Sequence, residues 1–590
     1  MKKFINRPEN AVEEMLGGLA VLSPGLARLA GHKVLVRADA DRIRDKQVAI
    51  ISGGGSGHEP AHAGYVGEGM LSAGVAGEVF TAPDTDSVHA AIKAVAGKPG
   101  ALLVVKNYTG DRLNFGLAAE MARSEGIPVE MIIVDDDVAL DNKTQFAGAR
   151  GLAGTIFVHK LVGAAAAEGK SLVEVAAIGR GAIKSLATMG VSFSAGTSPA
   201  VGKPSFELAE DEMELGLGIH GEPGVTRTRI QPADELTETL LNQILKHENF
   251  GNDRRVAVMI NNLGATTAME LAIVARHAMA ILEKKGYTVE RLYAGTLLSS
   301  LDMAGISISV LGVDDAALRW LDAPTSAPAW PNVSKQRPGR VEAQLAASAA
   351  AGRSSAATKN AQTETGRKIK RAIEAACTAL IEAEGELTEM DRIVGDGDLG
   401  ASMKRAAMVV RESVDSYPLD EAPATLKALG QTLRSALGGS SGPLYGVFFL
   451  RGGNVLEKSG WTSLAQWANA IEEGGRAIRE LGGAKPGDRT MLDALHSFMV
   501  TLKNGGTNAS QEVLRAAVEA AKRGAEATAQ MKPRLGRSSY LGDRVIGHAD
   551  PGATAVAIWL RAVVEALNAD EVPQRQAKVK VKVKVKVKGV

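Results

Sequence analysis

The spacing of apolar residues changes once along this 590-residue chain, and that change constrains the fold more than any other feature. As far as about residue 320, short β-branched runs such as 48–51 and 129–134 alternate with alanine-rich helical segments, an order typical of α/β sheets. Beyond residue 365 the apolar residues recur at every third or fourth position, as in Leu426, Leu429 and Leu433, which predicts amphipathic helices alone. The sequence therefore predicts an α/β domain followed by an all-α domain.

Residues 326–365, between the two patterns, are rich in Pro, Ser, Ala, Gln and Thr and have little periodic apolar content. This composition predicts a flexible interdomain linker, with domains at residues 1–325 and 366–568. Residues 569–590 contain a run of Lys-Val dipeptides, in which the lysines block strand pairing and too little apolar surface remains for a core. We expect this tail to be disordered, with contact to an anionic surface as the alternative.

The composition narrows the classes of partner. The 68 Lys and Arg residues balance 67 Asp and Glu residues, which gives no reason to expect nucleic acid and favours a small solute. The single cysteine, Cys377, excludes a disulfide framework within the chain and fits a reducing compartment. No run of ~20 apolar residues that would span a membrane is present. We expect a cytoplasmic protein that binds no membrane.

A cluster of acidic residues follows a helical stretch in the second domain. Asp391, Asp396 and Asp398 lie in the string Asp-Arg-Ile-Val-Gly-Asp-Gly-Asp. Carboxylates this close repel one another unless a hard cation holds them, and Mg²⁺ takes carboxylate oxygens while leaving positions for water and substrate phosphates. The string therefore predicts a magnesium site, with a solvated acidic loop as the alternative.

Polar and glycine-rich turns follow most strands predicted in the first domain, and such turns are where α/β proteins bind ligands. Glycines there let backbone N–H groups approach a small polyol or carbonyl compound without obstruction by side chains. Each of these residues also has a structural reading as a simple turn residue, and together they do not name a substrate. The candidates are Gly54, Gly55, His58, Lys106, Asp111 and His220.

Two matches to short motifs point to other activities. Residues 58–62 fit the zinc-hydrolase pattern HExxH, but Pro60 disfavours a helix through Glu59, so the two histidines would not share a helical face. Residues 168–171 resemble the end of a phosphate-binding loop, but Ala164 stands where a glycine is needed and lies in a helical pattern. We expect neither a zinc site nor a phosphate-binding loop of that type.

Longer strings resemble the dihydroxyacetone kinase family. In the first domain these are Ile-Ser-Gly-Gly-Gly-Ser-Gly-His-Glu-Pro at 51–60, Lys-Asn-Tyr-Thr-Gly-Asp at 106–111 and Gly-Ile-His-Gly-Glu-Pro at 218–223. In the second they are the aspartate string, Gly-Gly-Ser-Ser-Gly at 438–442, Gly-Asp-Arg-Thr at 487–490, Gly-Arg-Ser-Ser-Tyr-Leu at 536–541 and Asp-Pro-Gly-Ala at 550–553. The resemblance runs from about residue 4 to residue 567 in the family's order. Both domains in one chain resemble the ATP-dependent form.

The resemblance implies the fold and the acceptor site. It implies a ketose-binding α/β domain with two α/β subdomains, followed by an all-α helical-barrel domain that binds the nucleotide. The residue matching His220 bonds covalently to the substrate ketone as a hemiaminal, which selects against glycerol because glycerol has no electrophilic carbon. Asp111 matches the general base on the attacking hydroxyl, and His58 and Lys106 match polar partners in the active site.

The resemblance also implies the donor site and the assembly. Asp391, Asp396 and Asp398 match ligands of two Mg²⁺ ions between the ATP phosphates, where positioning and charge neutralisation carry most of phosphoryl transfer. It further suggests a homodimer. The residues carried over to the nucleotide are Leu399, Ser402, Gly438, Gly439, Ser440, Ser441, Gly442, Gly487, Arg489, Arg537, Asp550 and Gly552.

The chain departs from the family pattern at Leu399, where the family has threonine. Loss of one neutral hydrogen bond predicts at most a modest change in nucleotide affinity, roughly 0.5–1.5 kcal/mol. The acceptor is expected to be dihydroxyacetone, with glyceraldehyde or a C4 ketose such as erythrulose as alternatives, since they offer similar reacting groups. A ketose-binding regulatory protein without catalysis is the alternative from a different class.

Overall fold

The structure, a computed structural model, describes residues 3–139, 149–221, 224–246, 250–339, 361–505, 511–535 and 537–568. The chain divides into two compact units, Met1–Gln344 and Leu345–Val590. The predicted tail at 569–590 and most of the predicted linker lie outside the described residues. The fold class predicted from the sequence is confirmed, because strands and helices mix in the first unit and the described part of the second is all helical.

The first sheet of the first unit has six strands in the described residues, in the order β1-β2-β4-β3-β5-β6. The neighbours β4, β3, β5 and β6 are parallel, whereas β1 and β2 join antiparallel at one edge. Nearly every residue of β3 and β5 is buried, as expected for central parallel strands covered on both faces. The strands are β1 Leu26–Arg28, β2 Val34–Arg37, β3 Ala49–Ser56, β4 Ala73–Val79, β5 Ala101–Lys106 and β6 Val129–Val134.

The second sheet also has six strands in the described residues, in the order β11-β10-β12-β7-β8-β9. Only β10 and β11 are parallel neighbours among them, and the other pairs are antiparallel. The two sheets correspond to the predicted pair of α/β subdomains. The strands are β7 Leu186–Ser192, β8 Glu212–Leu215, β9 Thr226–Arg229, β10 Arg255–Asn262, β11 Thr288–Gly295 and β12 Gly305–Gly312.

Helix α5 joins the two sheets into one unit. Twelve of its residues are buried, and one apolar cluster combines them with Val104 of the first sheet and Met259 of the second. A helix that is apolar on all sides belongs in a core. The helices of this unit are α1 Ala11–Leu22, α2 Ala40–Ile43, α3 Thr85–Val95, α4 Thr109–Ser124, α5 Thr155–Ala167, α6 Leu172–Lys184, α7 Ala233–Ile244, α8 Ala268–Lys284 and α9 Asp315–Leu321.

The two rejected motif matches adopt the local structure expected for them. No helix runs through residues 58–62, since the next short 3-10 helix begins at Ala63. Ala164 lies inside α5, and Ser171 caps α6 by accepting a hydrogen bond from the N–H of Glu174.

The segment just after α9 packs on the first unit, although residues from 326 onward were predicted as linker. Trp330 lies against Tyr293, with ring centroids 5.0 Å apart, and Arg337 forms a two-pronged ion pair with Glu290 at 2.7 Å. The linker therefore begins later than the composition indicated. Low apolar periodicity did not reveal this packing, because single aromatic and basic side chains make it.

The second unit consists of helices around a hollow apolar centre. Its helices line a cavity of about 400 Å³ with side chains such as Ile369, Leu429, Phe448 and Leu560. Helices arranged around such an interior agree with the predicted helical barrel. They are α10 Glu364–Glu382, α11 Glu384–Val394, α12 Leu399–Ser413, α13 Ala422–Ala436, α14 Ser441–Ser459, α15 Leu464–Gly482, α16 Met491–Asn504, α17 Gln511–Ala527 and α18 Pro551–Asn568. Across the described residues, the helices are too short or too polar to cross a membrane.

Candidate active site

The glycines predicted to form a loop after β3 lie within that strand, which continues to Ser56. They are needed there because other backbone segments approach closely. A Cβ atom at Gly53 would lie 2.3 Å from the carbonyl oxygen of Val75, and one at Gly55 would lie 2.7 Å from the backbone nitrogen of Thr81. A Cβ at Gly54 would instead lie 2.7 Å from Lys106 Nζ, so this glycine leaves room for a side chain of the site.

Two predicted histidines meet although 162 positions separate them. The rings of His58 and His220 pack edge to face with centroids 4.8 Å apart. Phe80 stacks on His58 at 5.2 Å, and Tyr108 meets His220 at 4.4 Å. The loop of His220 is held by Ser300, whose hydroxyl donates to the carbonyl of Ile219 at 2.7 Å. Tertiary packing thus brings together two of the three first-domain strings that carried the resemblance.

Hydrogen bonding determines which ring nitrogen of His58 carries its proton. Nδ1 lies 2.9 Å from the carbonyl oxygen of Ser299, and a carbonyl only accepts, so Nδ1 donates. Burial is the main cause that lowers the pKa of His58 well below its usual value, and the positive Lys106 lowers it further. His58 is therefore neutral at pH 7 and presents Nε2 as an acceptor.

The third string contributes a charge pair. Lys106 ends β5, Asp111 lies in the first turn of α4, and both are buried. Burial lowers the pKa of Lys106 and raises that of Asp111, while each charge partly opposes the effect of burial on the other. A carboxylate beside an ammonium is suited to accept a proton from a substrate hydroxyl.

His220 is also neutral near pH 7. Burial, followed by the positive charges of Lys106 and Arg150, lowers its pKa to about 3. A neutral imidazole has one unprotonated ring nitrogen whose lone pair can attack an electrophilic carbon, which an imidazolium cannot do. The first unit therefore groups two neutral imidazoles, a carboxyl group and a lysine ammonium.

In the second unit, one group of acidic residues among those described can hold a metal ion: Asp391, Asp396 and Asp398, with carboxylate oxygens within 4.8 Å of one another. Asp391 is buried and accepts hydrogen bonds at Oδ2 from the N–H groups of Asp398, at 2.9 Å, and Leu399, at 3.1 Å. These contacts fold the loop so that its carboxylates converge. An all-oxygen donor set with two exposed members fits Mg²⁺, which keeps open positions for phosphate oxygens.

Leu399 begins α12 and serves this loop through its backbone, as the hydrogen bond to Asp391 shows. Its side chain packs on an apolar cluster that includes Leu387, Met403 and Leu437. At the position where the resemblance predicts threonine, this chain therefore has a leucine that packs in the apolar cluster. Ser402, in the first turn of the same helix, donates its N–H to the carbonyl of Asp398 at 3.0 Å.

The remaining predicted nucleotide residues lie near helix starts. Gly438, Gly439 and Ser440 form the turn before α14, with Gly439 at φ 60°, and Ser441 and Gly442 begin that helix. Gly487 donates its N–H to Asp493 in the first turn of α16, at 2.5 Å, and Gly552 lies in the first turn of α18. The N-terminus of a helix favours bound phosphate. Only the backbone of Arg537 is described.

One apolar cluster gathers these helix starts at the same end of the unit. Leu399 at the aspartate loop, Leu437 before the glycine turn, Met491 at the start of α16 and Ala555 near the start of α18 all belong to it. The residues predicted from four separate strings therefore share one neighbourhood.

Arg489 and Asp550 add a buried pair to this neighbourhood. The Arg489 guanidinium is 1% exposed, donates from Nη2 to the carbonyl of His548, and has Nη1 3.8 Å from Asp550. Burial raises the pKa of Asp550 to about 6, Arg489 opposes that rise, and Asp493 and Asp391 add to it. The Nε and Nη1 atoms of Arg489 have no hydrogen-bond partner in the described part of the chain. A buried guanidinium of this kind is suited to receive phosphate oxygens.

Sequence reasoning missed three side chains of the first-unit site. Phe80 adopts φ 58°, a conformation that few residues other than glycine adopt, and no local pattern marks it. Tyr108 lies in the string at 106–111, but no role for its side chain was predicted from that string. His62 was set aside with the zinc pattern, yet it is buried and its Nε2 points into the space above Gly54.

Comparisons with known proteins cover nearly the whole chain. A family model described as the Dak1 domain matches residues 17–329, and one described as the DAK2 domain matches residues 393–565. A tomato protein described as a putative 3,4-dihydroxy-2-butanone kinase is 44% identical, over 96% of this chain and 98% of its own length. Human triokinase/FMN cyclase is 42% identical, over 96% of this chain and 100% of its own length.

A solved structure is also similar over the full length. It is the dihydroxyacetone kinase from C. freundii in complex with AMP-PNP and Mg²⁺, which is 34% identical and has a TM-score of 0.58. The match covers 96% of this chain and 99% of the other.

Proposed function

This chain belongs to the dihydroxyacetone kinase family, and from that premise we propose that it is an ATP-dependent kinase that phosphorylates a hydroxymethyl ketone, most simply dihydroxyacetone. The observation that carries the proposal is the grouping of neutral His220, His58, Lys106 and Asp111 around one space. The relatives are named as kinases, and the human one is named a triokinase.

In the proposed acceptor step, the lone pair of the unprotonated ring nitrogen of His220 attacks the ketone carbon. A C–N bond forms, the C=O π bond breaks, and the oxygen takes up a proton as a hydroxyl, while the other ring nitrogen releases its proton. The product is a hemiaminal, which a polyol without a carbonyl cannot form. His58 Nε2 accepts a hydrogen bond from a substrate hydroxyl, because its Nδ1 donates to Ser299.

Asp111 then takes the proton from the hydroxyl that attacks the γ-phosphorus of ATP. Burial raises its pKa, and the Lys106 ammonium opposes that rise by favouring the carboxylate. Proton transfer to a positioned base typically increases the rate of such reactions by about 10²–10⁴-fold. Lys106 also orients the acceptor, since its buried ammonium lies above Gly54.

The donor site lies in the second unit. Asp391, Asp396 and Asp398 would hold Mg²⁺, which when bound neutralises phosphate charge. The residues that would contact the nucleotide are the backbone at Leu399 and Ser402, the turn from Gly438 to Gly442, Gly487, Arg489, Arg537, Asp550 and Gly552. The support for this assignment is the shared apolar cluster beneath these helix starts and the related structure that holds AMP-PNP and Mg²⁺.

The substrate is best identified by a coupled ADP-release assay with dihydroxyacetone, both erythruloses, glyceraldehyde and glycerol. We expect the hydroxymethyl ketones to give the highest kcat/KM and glycerol to give the lowest. A relative from Mycolicibacterium smegmatis that is 36% identical is named D-erythrulose kinase, which makes erythrulose the main competitor. Absence of ADP release with every carbonyl substrate, together with tight ketone binding, would favour the regulatory alternative. The cytoplasmic location and the homodimer remain predictions.

A further inference from the structure

Ser52 determines the proton position of a histidine that the proposed mechanism leaves without a role. Ser52 lies in β3 and is fully buried, and its hydroxyl donates to the carbonyl oxygen of Val104 at 2.7 Å. The same oxygen lies 3.3 Å from Nδ1 of His62. A hydroxyl has one proton to donate, so with Val104 as its acceptor Ser52 can only accept from His62. Nδ1 of His62 therefore carries the proton, and Nε2 carries a free lone pair.

That lone pair and the Lys106 ammonium both face Gly54. A Cβ atom at Gly54 would be 3.5 Å from His62 Nε2 and 2.7 Å from Lys106 Nζ, so both atoms occupy the same space above the glycine. Both are buried, and within the described residues neither has a hydrogen-bond partner. A buried ammonium without a hydrogen-bond acceptor is energetically costly. The ammonium of a lysine is carried on a flexible methylene chain, which can turn it toward an acceptor.

We propose that His62, oriented by Ser52, is the acceptor that positions the Lys106 ammonium in the ketose site. Its catalytic consequence rests on the proposed function, whereas the orientation of His62 can be tested on the unliganded protein. In this role His62 touches no substrate: it is a positioning residue that keeps Lys106 charged and aimed beside Asp111.

Several other groups face the Lys106 ammonium. Asp111 on α4 supplies the negative charge that raises the pKa of Lys106 against the effect of burial. The ring of Tyr108 lies 6.0 Å from Nζ. The other titratable groups that face the ammonium are His58, His159 on α5 and His220, and each has a pKa below its usual value because of burial, with Lys106 lowering it further.

Two substitutions at His62 separate positioning from mere packing. Glutamine places an amide oxygen near the former Nε2, whereas asparagine reaches only as far as Nδ1, toward Ser52. We expect kcat/KM for the ketose to fall roughly 10- to 100-fold in His62→Asn, the range for a hydrogen bond to a charged group. The kcat/KM of His62→Gln should stay within about threefold of that of the unsubstituted protein, which is less than the loss expected when a hydrogen bond to a charged group is removed.

The pH profile gives a second readout. The alkaline limb of kcat/KM should report the loss of the Lys106 proton, and without its acceptor the ammonium is less stable. The limb should therefore move to lower pH by about one to two units in His62→Asn and stay in place in His62→Gln. His159→Gln is the matched control, since its ring is equally buried and 5.2 Å from that of His62, and it should leave the limb unmoved. An unmoved limb in His62→Asn, or equal shifts in both His62 variants, would overturn the proposal.

Nitrogen NMR of the unliganded chain, labelled at its ten histidines, tests the orientation without activity. The signal that disappears in His62→Gln should show a protonated Nδ1 and an unprotonated Nε2 in the parent. A protonated Nε2 in the parent would refute the inference even if the chain phosphorylates ketoses. If this tautomer is found but no carbonyl substrate releases ADP, the proposed function fails and the orientation of His62 stands.

Discussion

At the scale of single residues, Leu399 shows how a departure from the family pattern can have a packing reason. Its side chain belongs to the cluster with Leu387 and Met403, so Leu399→Thr removes apolar contact while adding a hydroxyl. We expect the free energy of unfolding to fall by about 1–2 kcal/mol, since part of an apolar side chain is lost. KM for ATP should change by less than about tenfold, the limit for one neutral hydrogen bond. Chemical denaturation and initial rates measure the two effects, and an unchanged unfolding free energy would contradict the packing assignment.

Asp111 is the general base in the proposed mechanism, and this role predicts the direction in which the rate changes with pH. Activity requires the carboxylate, so the rate rises as pH increases through the pKa of Asp111, which burial raises. Asp111→Asn should lower kcat by about 10²–10⁴-fold and remove this acidic limb. The ketone adduct at His220 should persist in intact-protein mass spectrometry, because the nucleophile is untouched. Unchanged turnover would reject Asp111 as the base.

At the scale of elements, the start of α16 links a helix cap to the nucleotide loop. Thr490 and Asp493 form a capping box, and Asp493 also accepts the N–H of Gly487. Thr490→Ala should cost about 1 kcal/mol of stability and weaken ATP binding, because the hydroxyl that joins the end of the Arg489 loop to the N–H of Leu492 is lost. Calorimetry with Mg²⁺ and AMP-PNP measures the affinity.

A matched control for this cap exists at the start of α15, where Ser463 and Gln466 form the same kind of box. Ser463 caps the N-terminal end of α15, whereas the 487–490 loop follows the C-terminal end of that helix. Ser463→Ala should cost similar stability, about 1 kcal/mol, and leave nucleotide affinity unchanged. Equal losses of affinity in both variants would show that the effect of Thr490 is one of general stability.

At the scale of the whole molecule, the two units should bind their ligands independently. His220→Ala should abolish the ketone adduct and leave the affinity for Mg²⁺ and AMP-PNP within about twofold, since its charges and contacts lie in the first unit. Asp396→Ala should do the reverse, because it removes a carboxylate of the metal group. Mass spectrometry and calorimetry on the full-length chain measure both. Loss of the adduct in Asp396→Ala would contradict this division.

The sequence alone determined the fold class and the identity of most candidate residues. The change in apolar periodicity predicts sheets and then helices, because the pattern of buried residues follows the geometry of each element. The carboxylates and glycine turns can be recognised from short stretches of sequence, because the residue types themselves indicate metal and phosphate binding. Only the tertiary structure decided where the glycines of β3 lie, that residues 326–337 pack on the first unit, and that Phe80, Tyr108 and His62 lie near the predicted residues of the first unit. These features depend on contacts between distant segments. The proton positions of His58 and His62 likewise depend on Ser299, Ser52 and Val104, which no local pattern connects to them.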